Sequence, residues 1–546
     1  MPRKKPYSEK QKKLQLKEKR KKKQNSENDS DEGSNQEEND KVGSSSKVEE
    51  DVPPAQSLQQ QSSHSTKTLD PNRYRLQFLQ ESNASLKKKR ELGRQILHPV
   101  SELELELCED DSEPYINIAK RPPWHYNCSS AELQKTETKY FQEYVEKIFA
   151  EHDLNKLSYF ELNLETWRQL WRVLEMSDIV LIIVDIRYPM LHFSPALYNH
   201  VVNDLGKHAV LILNKVDMVP PELVIAWKEH FLLKYPKLHI ACFTSYPKEA
   251  ITNIIPGKAK KKRNRGGRFA INMGARELLE ICESIVQKKV DLSSWRHKIE
   301  SENEASAFNE KKYKNGVLTI GCTGYPNVGK SSLLNGLKGE KVVSVSKTPG
   351  HTKHFQTIFI TPTVKLCDCP GLVFPSKCEK ALQVLAGIYP ISQVREPFSA
   401  VRYLCERVNI VNILHLQHPD PPTKEWSPYD ICEAFAIKRG MITAKAGRPD
   451  IHRSANLILR MGLDGRLCLA LRPPGFTQNR DIWKEHQETR GLIEKLSKYR
   501  SSVMESSDGS DGEFDSDKDE NENETSSDEE DIKMTTKNPF ALLCDD

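Results

Sequence analysis

The residues Gly324 to Ser331 (GYPNVGKS) place two glycines five apart, followed by a lysine and a hydroxyl, and an apolar run, VLTIGCTG at 317 to 324, leads into them. A strand, a glycine-rich loop and a helix in that order form a phosphate cradle. The glycines let backbone N–H groups wrap the oxygens, and the helix N-terminus adds positive potential. Lys330 is placed to reach the β- and γ-phosphates of a nucleotide and Ser331 to ligate Mg²⁺, while Gly324, Asn327, Val328, Gly329 and Ser332 complete the cradle. A second motif, DCPG at 368 to 371, ends the apolar run VKLCDC. Asp368 can hold Mg²⁺ through water, and Gly371 leaves room for its N–H to approach a γ-phosphate. Between the two lies TPGHT at 348 to 352, where Thr352 is the better candidate for a γ-phosphate-sensing threonine and a third Mg²⁺ ligand, with Thr348 the alternative. Lys330, Thr352 and Gly371 are the expected catalytic set.

The base is expected to be read elsewhere. Asn214, Lys215, Val216 and Asp217 follow the apolar run AVLILN at 209 to 214. A carboxylate at Asp217 can accept from both the ring N–H and the exocyclic amine of guanine, whereas adenine offers no such pair of donors and would leave a buried charge unpaired. Asn214 is expected to meet the purine edge and tie this loop to the cradle, and the stem of Lys215 to pack on the base. Thr244 and Ser245, after LHIACFT at 238 to 244, can offer backbone donors to the guanine oxygen. Together these motifs specify GTP and GDP over adenine nucleotides.

Six apolar runs can position these residues: 179 to 185, 209 to 214, 238 to 244, 317 to 324, 356 to 361 and 364 to 369, alternating with helical stretches such as 162 to 176 and 223 to 233. Continuous apolar strands separated by helices predict a mostly parallel sheet with helices on both faces. The motif order is unusual, because the guanine loop at 214 precedes the phosphate loop at 324. One pocket can still form if residues 291 to 315, read as a polar connector, bridge the two halves.

In these motifs, in DIRYP at 185 to 189 and in SVSKTPGHTKHFQT, the chain resembles the circularly permuted GTPases of the ribosome-assembly class over nearly all of residues 69 to 490. The resemblance implies an α/β, circularly permuted P-loop GTPase domain at 161–375, a helical C-terminal domain at 376–500, and a partly helical N-terminal extension at 69–160. It also implies a pre-ribosomal particle or rRNA as partner. Arg453 and Arg460, with Lys438, Arg439, Lys445 and Arg448 upstream, could present phosphate contacts or a solvated face. Leu372 stands where many GTPases carry a water-orienting glutamine, which predicts slow turnover. Asn327 matches a K⁺-coordinating asparagine of cation-activated relatives; the alternative is a loop-fixing hydrogen bond.

Charge is strongly separated along the chain. Residues 1–23 carry twelve Lys/Arg against Glu9 and Glu18, net +10, and 505–531 carry fourteen acids against Lys518, net −13. Regions 1–68 and 501–546 are too poor in apolar residues to offset the entropy of ordering and read as disordered. The basic arm suggests a nuclear import receptor and a nuclear or nucleolar address, with shuttling to the cytoplasm open. The tails can also meet oppositely charged proteins, and the Ser-acidic runs suit phosphorylation. A basic loop at 256–270 suits RNA phosphate. The longest apolar run, 179 to 184, is far short of the roughly 20 residues of a spanning helix, so no membrane span or secretory signal is expected. The twelve cysteines show no repeated CxxC pair, and a reduced, zinc-free protein is expected.

Overall fold

The apolar runs form one six-stranded sheet: β1 (Ile179–Asp185), β2 (His208–Asn214), β3 (His239–Phe243), β4 (Leu318–Thr323), β5 (Gln356–Thr361) and β6 (Val364–Asp368). The computed structural model describes residues 76–505 except 80, 108–114, 155, 245–272, 288, 301–315, 347–348, 351, 353, 421–424 and 444–446, and leaves out the side chains of 300 and 498–505. The region 1–68, the basic loop at 256–270, Ser245, Thr348, Lys445 and nearly all of the acidic tail lie outside the described residues.

Strand order is β3-β2-β1-β4-β6-β5. All neighbours pair in parallel except β5 and β6, which form an antiparallel edge. β1 and β4 are buried along their whole length, as their unbroken apolar sequences require, whereas edge strand β5 leaves Gln356, Thr357 and Phe359 exposed. From β1 the chain steps outward to β2 and β3, then returns to start the other half at β4. The switch point therefore falls between β1 and β4, where the crevice beyond the carboxyl ends of an open α/β sheet takes its ligands.

Helices α1 (Asn83–Gly93) and α2 (Ser130–Glu151) belong to the N-terminal extension, and α3 (Leu164–Met176), α4 (Pro221–Lys234), α5 (Ala275–Val286), α6 (Ser293–Glu300) and α7 (Lys330–Lys338) cover the sheet. Trp167, Leu170, Trp171 and Leu174 put the expected apolar stripe of α3 inside, and the Asn163 side chain caps its first turn by accepting from Glu165 N–H. The stretch expected as a helix near 197 to 205 is a short α-turn at Pro195–Asn199 followed by a π-helical turn at His200–Asp204. The connector is corrected more substantially. Its first part is helix α6, which buries Leu292 and Trp295 beneath a polar composition. Ser294 Oγ lies 3.2 Å from Thr363 Oγ1 and Lys298 Nζ donates to Ile360 O (3.2 Å), so α6 fastens the chain leaving the guanine half to the β5–β6 hairpin.

Beyond β6 the chain is mostly helical: α8 (Lys380–Leu385), α9 (Phe398–Arg407), α10 (Pro428–Arg439), α11 (Ile451–Leu463) and α12 (Gln487–Glu505), the last running past the expected boundary at 500. Leu471 N donates to Arg187 O (2.9 Å) and Trp227 Nε1 to Leu471 O (3.1 Å), which docks this region against the ends of β1 and α4. The N-terminal extension is ordered by α3: Trp171 Nε1 donates to Ala119 O (2.8 Å), and buried Glu137 on α2 pairs with Arg121 (3.0 Å) and Arg168 (2.7 Å). No described helix is long and apolar enough to cross a membrane.

Candidate nucleotide-binding site

The turn from β4 into α7 brings the cradle residues together, and the end of β2 lies directly against them. Asn214, buried at the strand end, donates from Nδ2 to Val328 O (2.7 Å). Lys215 takes a left-handed conformation at φ 63°, and its Nζ donates to Asn327 O (2.8 Å) and Asp185 Oδ2 (2.7 Å). The two motifs that are far apart in the chain therefore meet through two hydrogen bonds, and a third ties Lys215 to the end of β1. Thr244 Oγ1 donates to Asp217 Oδ1 (2.6 Å) and fixes the carboxylate expected to read guanine. Thr244 does not offer its own N–H to a base, because that group donates to Met273 O (3.3 Å) in an isolated bridge.

Lys330 is buried and donates from Nζ to Tyr325 O (2.6 Å) and Gly324 O (3.2 Å), so its ammonium is held inside the loop that must wrap phosphate. Burial lowers its pKa and the carboxylate of Asp368 acts against that shift. Asp368, at the end of β6, is fully buried, and among the described residues neither of its oxygens has a partner in full hydrogen-bond geometry, although the Gln356 and Ser331 side chains lie close. Burial pushes this carboxyl up to about 6, against the pull of Lys330, with Gln356 and Ser331 alongside. Ser331 Oγ and Thr352 Oγ1 stand 3.5 Å apart. Two converging hydroxyls beside an orphaned buried carboxylate make an all-oxygen donor set, which fits a divalent cation of the Mg²⁺ type. The hydroxyl pair also favours Thr352 for the switch position.

Gly371 passes so close to the P-loop that a Cβ there would lie 2.8 Å from Pro326 N and 3.1 Å from Lys330 Nζ, so only glycine lets this strand end reach the phosphate cradle. The next residue, Leu372, is buried and donates its N–H to Gly324 O (3.3 Å), leaving no polar side chain there to orient water. Asn327 adopts φ 59° and donates from Nδ2 to Gly387 O (2.8 Å), which is the loop-fixing bond among the two expectations for this residue.

Two contributors, Gln169 and Glu161, carry no motif, and two more, Asp185 and Arg187, come from DIRYP. Gln169 on α3 accepts the N–H of Phe355 (3.1 Å), holding the segment after Thr352. Glu161 donates its N–H to Val373 O (3.0 Å), just past DCPG, and its Oε1 accepts from Gln77 N and Asn163 N (both 2.9 Å). Burial raises its carboxyl to about 8. At the end of β1, Asp185 and Arg187 form a fully buried pair (2.7 Å). Despite the upward push of burial, Arg187 and Lys215 hold Asp185 well below the usual carboxylate range. For Gln169 and Glu161 the only sequence signal is a polar residue set inside an otherwise apolar stretch, whereas Asp185 and Arg187 belong to DIRYP.

A family model described as a 50S ribosome-binding GTPase matches residues 319–418. The guanine nucleotide-binding protein-like 1 of Rattus norvegicus is 48% identical over 545 aligned residues, covering 90% of this chain and 89% of that protein. The large subunit GTPase 1 homolog of Mus musculus is 31% identical over 435 residues, covering 67% of each chain. Among solved structures, GNP-bound YlqF from T. maritima matches at 19% identity with a TM-score of 0.35, covering 56% of this chain and 97% of that one. With the guanine loop ahead of the P-loop in sequence yet joined to it in space, and with that extent of identity, the chain belongs to the guanine nucleotide-binding protein-like 1 family of circularly permuted P-loop GTPases.

Proposed function

We infer that the protein is a slow, Mg²⁺-dependent GTP switch acting in ribosome-subunit assembly or a related RNA–protein process. The single observation carrying this reading is the arrangement around Asp368: a buried carboxyl with no partner in full hydrogen-bond geometry among the described residues, the Ser331 and Thr352 hydroxyls 3.5 Å apart, and a buried leucine next to Gly371. A bound Mg²⁺ would neutralise charge at the β–γ bridge. Lys330 and the P-loop amides would hold the phosphates, while water positioning is left to backbone, a partner or a K⁺ ion near Asn327. K⁺ assistance requires faster hydrolysis in KCl than in NaCl at matched ionic strength. The description of the matching family model, a 50S ribosome-binding GTPase, supports a ribosomal partner. Arg453 and Arg460, both exposed on α11, supply a basic face for it, whereas Lys438 is already committed to Leu414 O (2.6 Å) and His415 O (3.0 Å).

The test is sedimentation of ribosomal particles from cells expressing Thr352→Ala. The variant should bind GDP, hydrolyse GTP on the order of 10²-fold more slowly, and stay on the particle. Combining it with Arg453→Glu and Arg460→Glu should remove it from the particle. A second reading, a GTP-gated binding module with incidental hydrolysis, is favoured by the buried Leu372 and predicts normal release of Thr352→Ala.

A further inference from the structure

Contacts around the site close on themselves through the helical region. Arg187, with no exposed surface, donates from Nε to Asp185 Oδ1 (3.0 Å), from Nη2 to Asp185 Oδ2 (2.7 Å), and from Nη1 to Gly462 O (3.1 Å) and Leu463 O (3.3 Å). Those carbonyls end α11. From Asp185 the path runs through Lys215 Nζ to Asn327 O, and from Asn327 Nδ2 to Gly387 O. Gly387, at φ +74°, completes the ring against α11: a Cβ there would lie 2.4 Å from Leu463 Cδ1 and 3.1 Å from Asn327 Nδ2.

The last carbonyls of a helix have no intrahelical partner and carry negative potential, and a guanidinium fork can serve them and a carboxylate at once. Lysine offers one point of charge and cannot span all four acceptors. Because Asp185 and Arg187 at its centre are fully buried, shifting one member unpairs a charge elsewhere in the ring, which couples the movement of its members. Lys215 belongs to the guanine loop and Asn327 to the P-loop, so two members of the ring flank the nucleotide.

We propose that Arg187 is a positioning residue that locks the C-terminal end of α11 to both nucleotide loops, making guanine-nucleotide binding and the ordering of residues 462–471 one linked equilibrium. The proposal needs only the nucleotide site and not the ribosomal role. The reporters are the amides of Asp464, Gly465, Arg466 and Leu471, which donate to Arg460 O, Gly462 O, Met461 O and Arg187 O.

Hydrogen exchange of the full chain, with Mg²⁺ and with or without saturating GDP, tests it. In the wild type GDP should slow these amides about tenfold, within the usual range of coupling between sites. In Arg187→Lys the slowing should fall below about twofold and GDP affinity should drop about tenfold, by the reciprocity of linkage. Helix α7 should still be protected by GDP. A purely structural Arg187 would change exchange equally with and without GDP and leave the ratio intact. If Arg187→Lys does not fold, Gly387→Ala decides by the same ratio, since it wedges the ring with one methyl and alters no charge. The proposal is overturned if GDP leaves 464–471 unchanged in the wild type, or if a folded variant keeps the full slowing. Loss of protection at α7 would instead indict the nucleotide site itself.

Discussion

At the scale of single residues, the decisive groups are carboxylates held in different electrostatic surroundings. Thr244 orients Asp217 by donating to Oδ1, so that carboxylate is preset to accept from guanine. Replacing it by Asn removes the acceptor pair. Asp217→Asn should weaken GDP binding by about 10²-fold and raise affinity for xanthosine diphosphate, whose carbonyl replaces the amine, as titration with both nucleotides will show. Glu161 gives a pH prediction. Its folded-state pKa, about 8, lies above the ordinary value of 4.5, so the folded protein binds the extra proton. Its stability contribution is complete below the ordinary value and is lost as pH rises toward 8. From pH 6.5, above the Asp368 value of about 6, the loss starts at about 1.4 kcal/mol per pH unit and falls to about half that slope by pH 8. Urea unfolding of Glu161→Gln across that window should show a flatter pH dependence than the wild type.

At the scale of elements, α3 and the segment before it hold the chain just after TPGHT (348–352), the expected first switch, and just after DCPG (368–371), the expected second. Gln169 holds Phe355, Glu161 holds Val373, and Leu162 N donates to Gln77 O (3.0 Å), fixing a strap from the N-terminal extension. That strap reaches the first switch as well, since a Cβ at Gly350 would lie 3.1 Å from Leu76 Cγ. The N-terminal extension is thereby placed next to the TPGHT and DCPG segments. Helix α6 has a comparable role between the halves of the sheet. Its Trp295 is fully buried in an otherwise polar segment. Trp295→Ala should cost about 3–5 kcal/mol in denaturant-measured stability, the range for truncating a buried aromatic, and should leave GDP affinity per folded molecule unchanged.

At the scale of the whole molecule, permutation sends the chain straight from DCPG into the helical region. The same region returns to β1 through Leu471 N, which donates to Arg187 O, and to the P-loop through Gly387 O, which accepts from Asn327. A change at the γ-phosphate can therefore reach α11 both along the chain and through the buried ring. The exposed Arg453 and Arg460 sit on the same helix whose last carbonyls Arg187 holds, so the surface suited to an anionic partner and the nucleotide loops share one rigid element. This physical continuity permits a switch without a catalytic glutamine.

The motifs expected to bind phosphate and read guanine stand out in the sequence because that chemistry needs particular residue types at short spacing. The strands were legible because a parallel strand covered on both faces must be continuously apolar. The sequence by itself thus determined the nucleotide, the sheet and the permuted order. Thr244's actual partners, the helix hidden in the connector, the placement of Glu161 and Gln169 against the switches, and the Asp185–Arg187–Lys215 ring were decided only by tertiary structure. Each depends on groups from distant segments, such as Arg187 with Gly462 and Asn327 with Gly387, whose pairing leaves no periodicity in the chain. Burial then makes those polar pairings obligatory, because an unpaired charge or carbonyl away from water carries its full desolvation penalty.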